Sequence, residues 1–366
     1  MSNKTDRQQK SVRGSKKPTP AAMAAAISRA RLEGVVFVAM FSALSAWAIT
    51  TFGILALAVT MGILVLALVI VSWNTLPILY KPDARYKPVP AEKIRWPESA
   101  PLEPAGKNRR LIFCVHGFPS TPADFRRFVQ VSDTRGWDIA APLLPGCGTE
   151  PADLLSTEWA QYQAMVRDTW KRLRPRYEYA CIVGISMGGA LTLGLAEETC
   201  ADPMLAPKAI ATVGAPAVLN AWYKYGIITS PLIYLARMLG TLVPSMGAGF
   251  PDPVRDEEDG GGEWKGYQGI FTRQTHSLHI GMRQVERNLP EITCPALVCH
   301  GRGDRIVDFR NAGIIMSRLG SSDIEAYIAN MDKFSHNRHN LLLYESQRDR
   351  LWARILDFFE SRSERA

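Results

Sequence analysis

Residues 34–80 contain no Lys, Arg, Asp, Glu or His. A charge-free stretch of that length does not suit the surface of a soluble domain and directs the N-terminal part of the chain to a bilayer. From Val35 to Trp73 it reads VVFVAMFSALSAWAIT, then TFG, then ILALAVTMGILVLALVIVSW. As one straight helix these residues would extend roughly 58 Å at about 1.5 Å per residue. The hydrocarbon core of a bilayer is only about 30 Å thick. The expectation is therefore a membrane anchor over 35–73 folded as a helical hairpin. Its spans would be Val35–Thr50 and Ile54–Trp73, with Thr50, Thr51, Phe52 and Gly53 at the turn. A single span at 54–73, preceded by an interfacial segment, is the alternative.

Charge supports an anchor and argues against a nucleic-acid partner. The chain has 43 basic and 35 acidic residues, a net charge of +8. The tail 1–34 holds eight basic residues and two acidic ones, so +6 of the total lies there. The other 35 basic and 33 acidic residues leave only +2 on the rest of the chain, with no basic stripe of the kind that tracks phosphates. Lys81, Arg85 and Lys87 follow the second apolar run. Basic residues on both flanks suit a hairpin with both ends, and the domain that follows, in the cytoplasm. A cleaved signal peptide fits poorly, because the apolar run continues far beyond Ala46-Trp47-Ala48.

Six prolines between Pro82 and Pro104 (82, 88, 90, 97, 101, 104) block both helix and ladder pairing. Residues 74–108 read as a semi-extended linker that stands the main domain off the bilayer. None of the six cysteines forms a C-x-x-C pair, and Cys114, Cys181 and Cys299 lie in apolar runs as small hydrophobes. Their spacing is no disulfide framework, which favours a reducing compartment.

From about residue 109 short apolar runs alternate with helical stretches. Leu111–Val115, Asp138–Pro142, Tyr179–Gly184, Ala209–Gly214, Ala296–Cys299 and Ile324–Ala329 read as strands, and Thr157–Leu173 as a helix. Leu351–Phe359 presents Trp352, Ile355, Leu356 and Phe359 on one helical face. Continuous apolar strands separated by helices predict an α/β domain over 109–366, built on a mostly parallel sheet covered on both faces. The stretch 217–290 interrupts the alternation and reads as an inserted cap over an apolar pocket, with His276 and His279 on its surface or in its packing.

The sharpest motif is Gly184-Ile185-Ser186-Met187-Gly188. By chance a chain of this length would contain about 0.1 such triplet of fixed positions. It stands between the run YACIVG and the small-residue stretch GGALTLGLA, the strand–turn–helix context of a nucleophile elbow. A serine is a weak nucleophile and needs a base and a group that orients the base. Asp304, in Cys299-His300-Gly301-Arg302-Gly303-Asp304, would lie at the carboxyl end of a strand and is the candidate acid, with Asp308 as the fallback. His339 is the candidate base and His336 the alternative. The backbone N–H groups of Phe118, in HGFP, and of Met187 are the candidate oxyanion donors.

The order Ser186, Asp304, His339, with the segments HGFPSTPADFR, PLLPGCGTEPADL, GISMGG, HGRGDRIV and RHNLLLYE, resembles the bacterial carboxylesterase and monoacylglycerol lipase group of the α/β-hydrolases. The resemblance covers roughly 109–360. It implies hydrolysis of carboxylic esters with Ser186 as nucleophile, oxyanion donors at Phe118 and Met187, and neither metal nor cofactor. The substrate class it implies is an ester or a lipid-derived small molecule, such as a monoacylglycerol or a lysophospholipid. Acyl transfer through the same triad, or a catalytically inert membrane-bound interaction module, are the competing readings. The sequence does not fix the oligomeric state.

Overall fold

The computed structural model describes residues 20–75, 82–218, 231–250, 264–330 and 339–364. An N-terminal helix α1 (Pro20–Thr75) precedes the α/β domain. The domain then runs through β1 (Arg110–Val115), β2 (Trp137–Ala140), α2 (Trp159–Leu173), β3 (Tyr179–Ile185), α3 (Met187–Thr199) and β4 (Ile210–Val213). Next come α4 (Pro231–Leu242), a small hairpin β5 (Ser245–Gly249) and β6 (Gln268–Phe271), and α5 (Thr272–Asn288). It closes with β7 (Ala296–Arg302), α6 (Arg310–Arg318), β8 (Ile324–Asn330) and α7 (Arg348–Ser363).

Six strands form one parallel sheet in the order β2-β1-β3-β4-β7-β8. The central strands are buried from end to end, as their unbroken apolar runs require. Alternate side chains feed two separate cores. Leu111, Phe113, Val115, Ala180 and Ile182 point to the layer containing α2, α3 and α5. Ile112, Cys114, Cys181, Val183 and Ile185 point to the layer containing α7. The face read from the sequence of α7 is the face it buries, with Trp352, Ile355, Leu356 and Phe359 each at most 1% exposed. Trp352 stacks on Phe128 at 4.5 Å and donates its Nε1–H to Ser132 Oγ at 3.0 Å.

The proline-rich segment is extended but does not stand free. Tyr86 donates its hydroxyl to Asp168 at 3.0 Å, the Arg95 amide bonds to Gly148 O at 2.8 Å, and Leu102 pairs with Ala141 in an antiparallel bridge. Ile94 and Trp96 pack against the core. From Tyr86 onward the expected spacer is a strap laid along the domain, because its apolar residues find cover there that water does not provide.

The described part of 217–290 is of two kinds. Helix α4 and the β5–β6 hairpin lie outside the main sheet. Helix α5 packs against α4 and also against α2 and α3, in the layer that covers the sheet. His276 is therefore 1% exposed, not a surface residue. Helix α1 leaves helical geometry at Gly53 (φ 72°, ψ −158°), within the expected turn. Thr50 and Thr51 remain helical and donate their hydroxyls back to Ala46 and Trp47 carbonyls. Beyond the break, Gly53–Ser72 is one helix of 20 residues with mean hydropathy 3.1, long and apolar enough to cross a membrane.

Replacing Trp352 by Ala should destabilise the domain by about 3–5 kcal/mol, because a fully buried, stacked ring is lost and the Ser132 hydroxyl is orphaned. Denaturant unfolding followed by tryptophan fluorescence measures it, and a loss below about 1 kcal/mol would contradict the packing described.

Candidate active site

The chain lays β2 on one side of β1 and then returns to lay β3 on the other. The carboxyl ends of β1 and β3 are therefore the point where the winding reverses, and loops leaving it diverge to open a crevice. The sequence puts HGFP at the end of β1 and Ser186 at the end of β3. A Cβ on Gly117 would lie 3.1 Å from Ser186 Cβ and 3.8 Å from its Oγ, so the two loops meet.

Ser186 has φ 54° and ψ −122° and is, among the described residues, the single non-glycine with positive φ. Such a conformation costs on the order of 1–3 kcal/mol and persists where its surroundings enforce it. Here its N–H is held by Val213 O at 2.8 Å and the helix behind it is locked by glycines. A Cβ on Gly188 would come within 2.1 Å of Val115 O, and one on Gly184 within 2.2 Å of Gly188 O. The turn thereby presents Ser186 at the head of α3, partly buried, with the amide of Met187 beside it at the first helical position.

The opposite wall is held by His116. Its Nδ1–H donates to Gly117 O at 2.8 Å and its Nε2 accepts from the Leu144 amide at 3.1 Å. Burial lowers its pKa to about 4 against the raising effect of the Gly117 carbonyl, so the ring stays neutral. The segment that returns from the β5 side ties the same loop down. Tyr267 N–H donates to Pro119 O at 3.1 Å, and Trp264 Nε1–H to Ser120 Oγ at 2.8 Å. The Phe118 ring sits 5.9 Å from Phe271 and 6.4 Å from Tyr162, which packs the loop against buried aromatic side chains.

Of the acid and base candidates, the structure brings Asp304 and His339 together. His339 Nδ1 and Asp304 Oδ2 are 2.7 Å apart, and the carboxylate is fully buried. Its other oxygen accepts the amides of Ile306 and Val307 at 2.8 and 2.9 Å. Burial raises the Asp304 pKa, but hydrogen bonds from His300, His339 and the Val307 amide outweigh it and hold the group at about 2. Asp308 is turned away and pairs with Arg310 at 3.0 Å. His336 lies outside the described residues. Gly214, next to the carbonyl that holds Ser186, has φ 60°, and its Cβ position is 3.2 Å from both Cε1 and Nδ1 of the His339 ring. The His339 ring is thus seated beside the elbow, its Nε2 buried without a hydrogen-bond partner among the described residues. Ser186 and His339 are not hydrogen-bonded to each other; such contacts commonly tighten only when substrate binds.

Two supporting groups escape a reading by residue type. His300, four residues before Asp304, is 1% exposed, with Nε2 3.0 Å from Val307 O and 3.4 Å from Asp304 Oδ2. Its place in HGRGD is the signal that could have marked it. Asp124 is buried and accepts from Ser120 Oγ at 2.8 Å. Burial raises its pKa to about 7, while hydrogen bonds from Ser120 and from Asn340, the neighbour of His339, lower it.

The profile of the serine aminopeptidase S33 family matches residues 106–343, well over half of the chain. The chain belongs to this family. Among its relatives, the thermostable monoacylglycerol lipase of Bacillus sp. (strain H-257) is 29% identical over 214 residues, 58% of this chain and 78% of that one. The carboxylesterase of Bacillus subtilis (strain 168) is 22% identical over 255 residues, 69% of this chain and 92% of that one. A solved structure from a study of LipS and LipT, two metagenome-derived lipolytic enzymes, superposes with a TM-score of 0.61 at 22% identity, over 72% of this chain and 98% of that one. That likeness shows the α/β-hydrolase fold, and with the family it makes this chain a hydrolase of the serine type.

The buried His116 links stability to pH. With an unfolded pKa near 6.5 and a folded one of about 4, the unfolded chain binds the extra proton between these values, so stability falls as pH falls through that window. Asp124, raised to about 7, works in the opposite sense and favours the folded state more as pH falls from about 7 to 4. The His116 share is isolated by comparison with His116→Gln. Between pH 7 and 4.5 the wild type should lose about 2–3 kcal/mol more stability than the variant, read from urea unfolding at each pH. Parallel pH profiles would show that His116 is not held neutral.

Proposed function

We propose that this protein is a carboxylic ester hydrolase that cleaves acyl esters through an acyl-enzyme on Ser186, and that it works at a membrane. The observation that carries the reading is the strained Ser186 elbow at the winding-reversal point, beside a His339 held by a buried Asp304. The names of the relatives, a monoacylglycerol lipase and a carboxylesterase, point the same way.

In this mechanism His339 Nε2 takes the Ser186 proton as Oγ attacks the ester carbonyl carbon. Asp304, accepting from Nδ1–H, keeps the ring in the tautomer with Nε2 free and stabilises the imidazolium that forms. The amides of Phe118 and Met187 donate to the developing oxyanion, each contributing on the order of 3 kcal/mol to the barrier reduction. His339 then protonates the departing alcohol, and water, activated by the same ring, releases the acid. The monoacylglycerol lipase among the relatives supports a lipid-derived ester such as a monoacylglycerol or a lysophospholipid.

Helix Gly53–Ser72 would hold the enzyme in the bilayer. The break at Gly53 and the basic residues on both flanks support a hairpin with the catalytic domain in the cytoplasm. On alkaline carbonate extraction the protein should stay with the membrane pellet; release into the supernatant would defeat the anchor.

Initial rates on p-nitrophenyl esters from C2 to C16, in detergent, test the chemistry. Ser186→Ala should abolish turnover and fluorophosphonate labelling. Asp304→Asn should lower kcat by about 10⁴ while leaving fluorescence-monitored folding intact. Turnover in Ser186→Ala equal to wild type would remove the assignment. A maximum at C8 or longer is expected for a lipid-derived substrate, and one at C2–C4 would mark a small-ester esterase.

A further inference from the structure

The loop that carries Phe118 is short, and its two ends are fixed by different means. At the inner end Gly117 lies against the elbow. At the outer end the Ser120 amide closes a turn on Gly117 O at 2.9 Å, so the Phe118 amide belongs to the turn 117–120. What holds Ser120 therefore sets where that amide sits. Ser120 is 4% exposed, and a hydroxyl so far from water is costly unless its oxygen and its proton both have partners. Here both do. Ser120 Oγ accepts from Trp264 Nε1–H at 2.8 Å and donates to Asp124 Oδ2 at 2.8 Å. Asp124 stands in the helical turn Ala123–Arg126 and is itself 6% exposed. An acid at this position takes the single Ser120 proton, which leaves the lone pairs of Oγ to face the Trp264 N–H.

Around this relay the two segments lie directly on each other. Tyr267 N–H donates to Pro119 O at 3.1 Å, and Thr121 Oγ1 donates to Lys265 O at 3.1 Å. Thr121 accepts in turn from Ser99 Oγ of the strap at 2.9 Å. A Cβ on Gly266 would come within 2.6 Å of Pro119 O, so only glycine lets the segments approach this closely. Bonds to backbone carbonyls alone would fasten a surface loop. A buried acid and a buried hydroxyl aligned on one indole N–H add a directed restraint at the residue that closes the turn.

We infer that Ser120 and Asp124 are positioning residues: with Trp264 they clamp the turn 117–120 and hold the Phe118 amide where an oxyanion forms. The inference rests on the proposed ester hydrolysis and extends its machinery to three side chains outside the triad. An oxyanion donor works at about 2.7–3.1 Å from the oxygen it stabilises, and a shift of about 1 Å in a positioned group can cost about 10²-fold in rate. A slack turn therefore lowers turnover while leaving the triad and ground-state binding of the ester in place.

The test compares full-length variants with the wild type in detergent. Ser120→Ala removes both bonds of the relay, and Trp264→Phe keeps a ring but removes the N–H. Ser120→Ala should lower kcat on p-nitrophenyl esters by about 10- to 100-fold with KM changed by less than about threefold. Trp264→Phe should act in the same direction by a smaller factor. Asp124→Asn, which keeps an oxygen acceptor, should recover most of what Asp124→Ala loses. Affinity for a trifluoromethyl ketone, whose adduct on Ser186 carries an oxyanion, should fall by the same factor as kcat/KM. Hydrogen–deuterium exchange read by mass spectrometry should rise over 117–121 and 264–267 in Ser120→Ala. Unchanged exchange there overturns the proposal, and so does raised exchange with kcat and ketone affinity at wild-type values. If near-UV circular dichroism shows Ser120→Ala misfolded, Trp264→Phe carries the same readouts. A wild type that hydrolyses no ester removes the reading on which the inference rests, and the inference with it.

Discussion

The structure turns on one close approach. Helix α3 meets the carboxyl end of β1 so tightly that a single methyl group on Gly188 would sit 2.1 Å from the Val115 carbonyl. That contact cannot be relaxed by moving a side chain, because backbone faces backbone. It fixes where α3 starts, and so forces the reversal of direction at Ser186 into a positive φ. It also brings the β1 loop against the elbow, where a Cβ on Gly117 would lie only 3.1 Å from Ser186 Cβ. A small-residue helix start is the sequence's way of permitting this approach, and the strain at Ser186 is maintained by the buried sheet around it.

The second support is electrostatic. A carboxylate buried as completely as Asp304 would ordinarily become protonated. Two amides and two imidazoles converge on it instead, and together they outweigh the burial. The charge therefore survives where it can orient His339, out of reach of water that would weaken the interaction. On the other side, His116 is kept neutral because its two ring nitrogens already serve a carbonyl and an amide. Protonation of the His116 ring would break one of these bonds and dismantle a wall.

Much of this was legible in the sequence, for identifiable reasons. Central strands buried on both faces are written as unbroken apolar runs, and the partly buried edge strand β8 was placed by its own short apolar run. The elbow is written in glycines that geometry demands, and Asp304 and His339 follow from where strands end. What escaped depends on contacts across the fold. Helix α5 looked like part of a cap because its buried face is polar: Gln274 donates to Leu154 and Thr157 carbonyls, and Ser277 Oγ accepts the Trp159 amide. Hydrophobic periodicity has no signal for such a face. His300 escaped because its partners are a carbonyl and a carboxylate brought together only by the loop after β7. The prolines of 82–104 announced an extended chain but could not say whether anything covers it.

The covered proline-rich segment limits how far the domain could lie from the proposed anchor. If the whole of 74–108 were a spacer, the active site could wander far from the bilayer. The strap is already fastened at Tyr86, which shortens the tether to the residues between Thr75 and Tyr86. Even fully extended, those steps reach no more than about 40 Å. Helix α1 also packs against α4, which precedes the β5–β6 hairpin. With the proposed insertion, the crevice is confined to a shell next to the headgroups. A confined site sees amphiphiles at their interfacial concentration instead of their low dissolved one. The same strap thus does two things: it covers apolar surface beside β2, and it shortens the leash. An ester that partitions into the bilayer gains from the second effect, whereas a freely soluble ester does not, and this favours the lipid-derived substrate class on physical grounds independent of any relative's name.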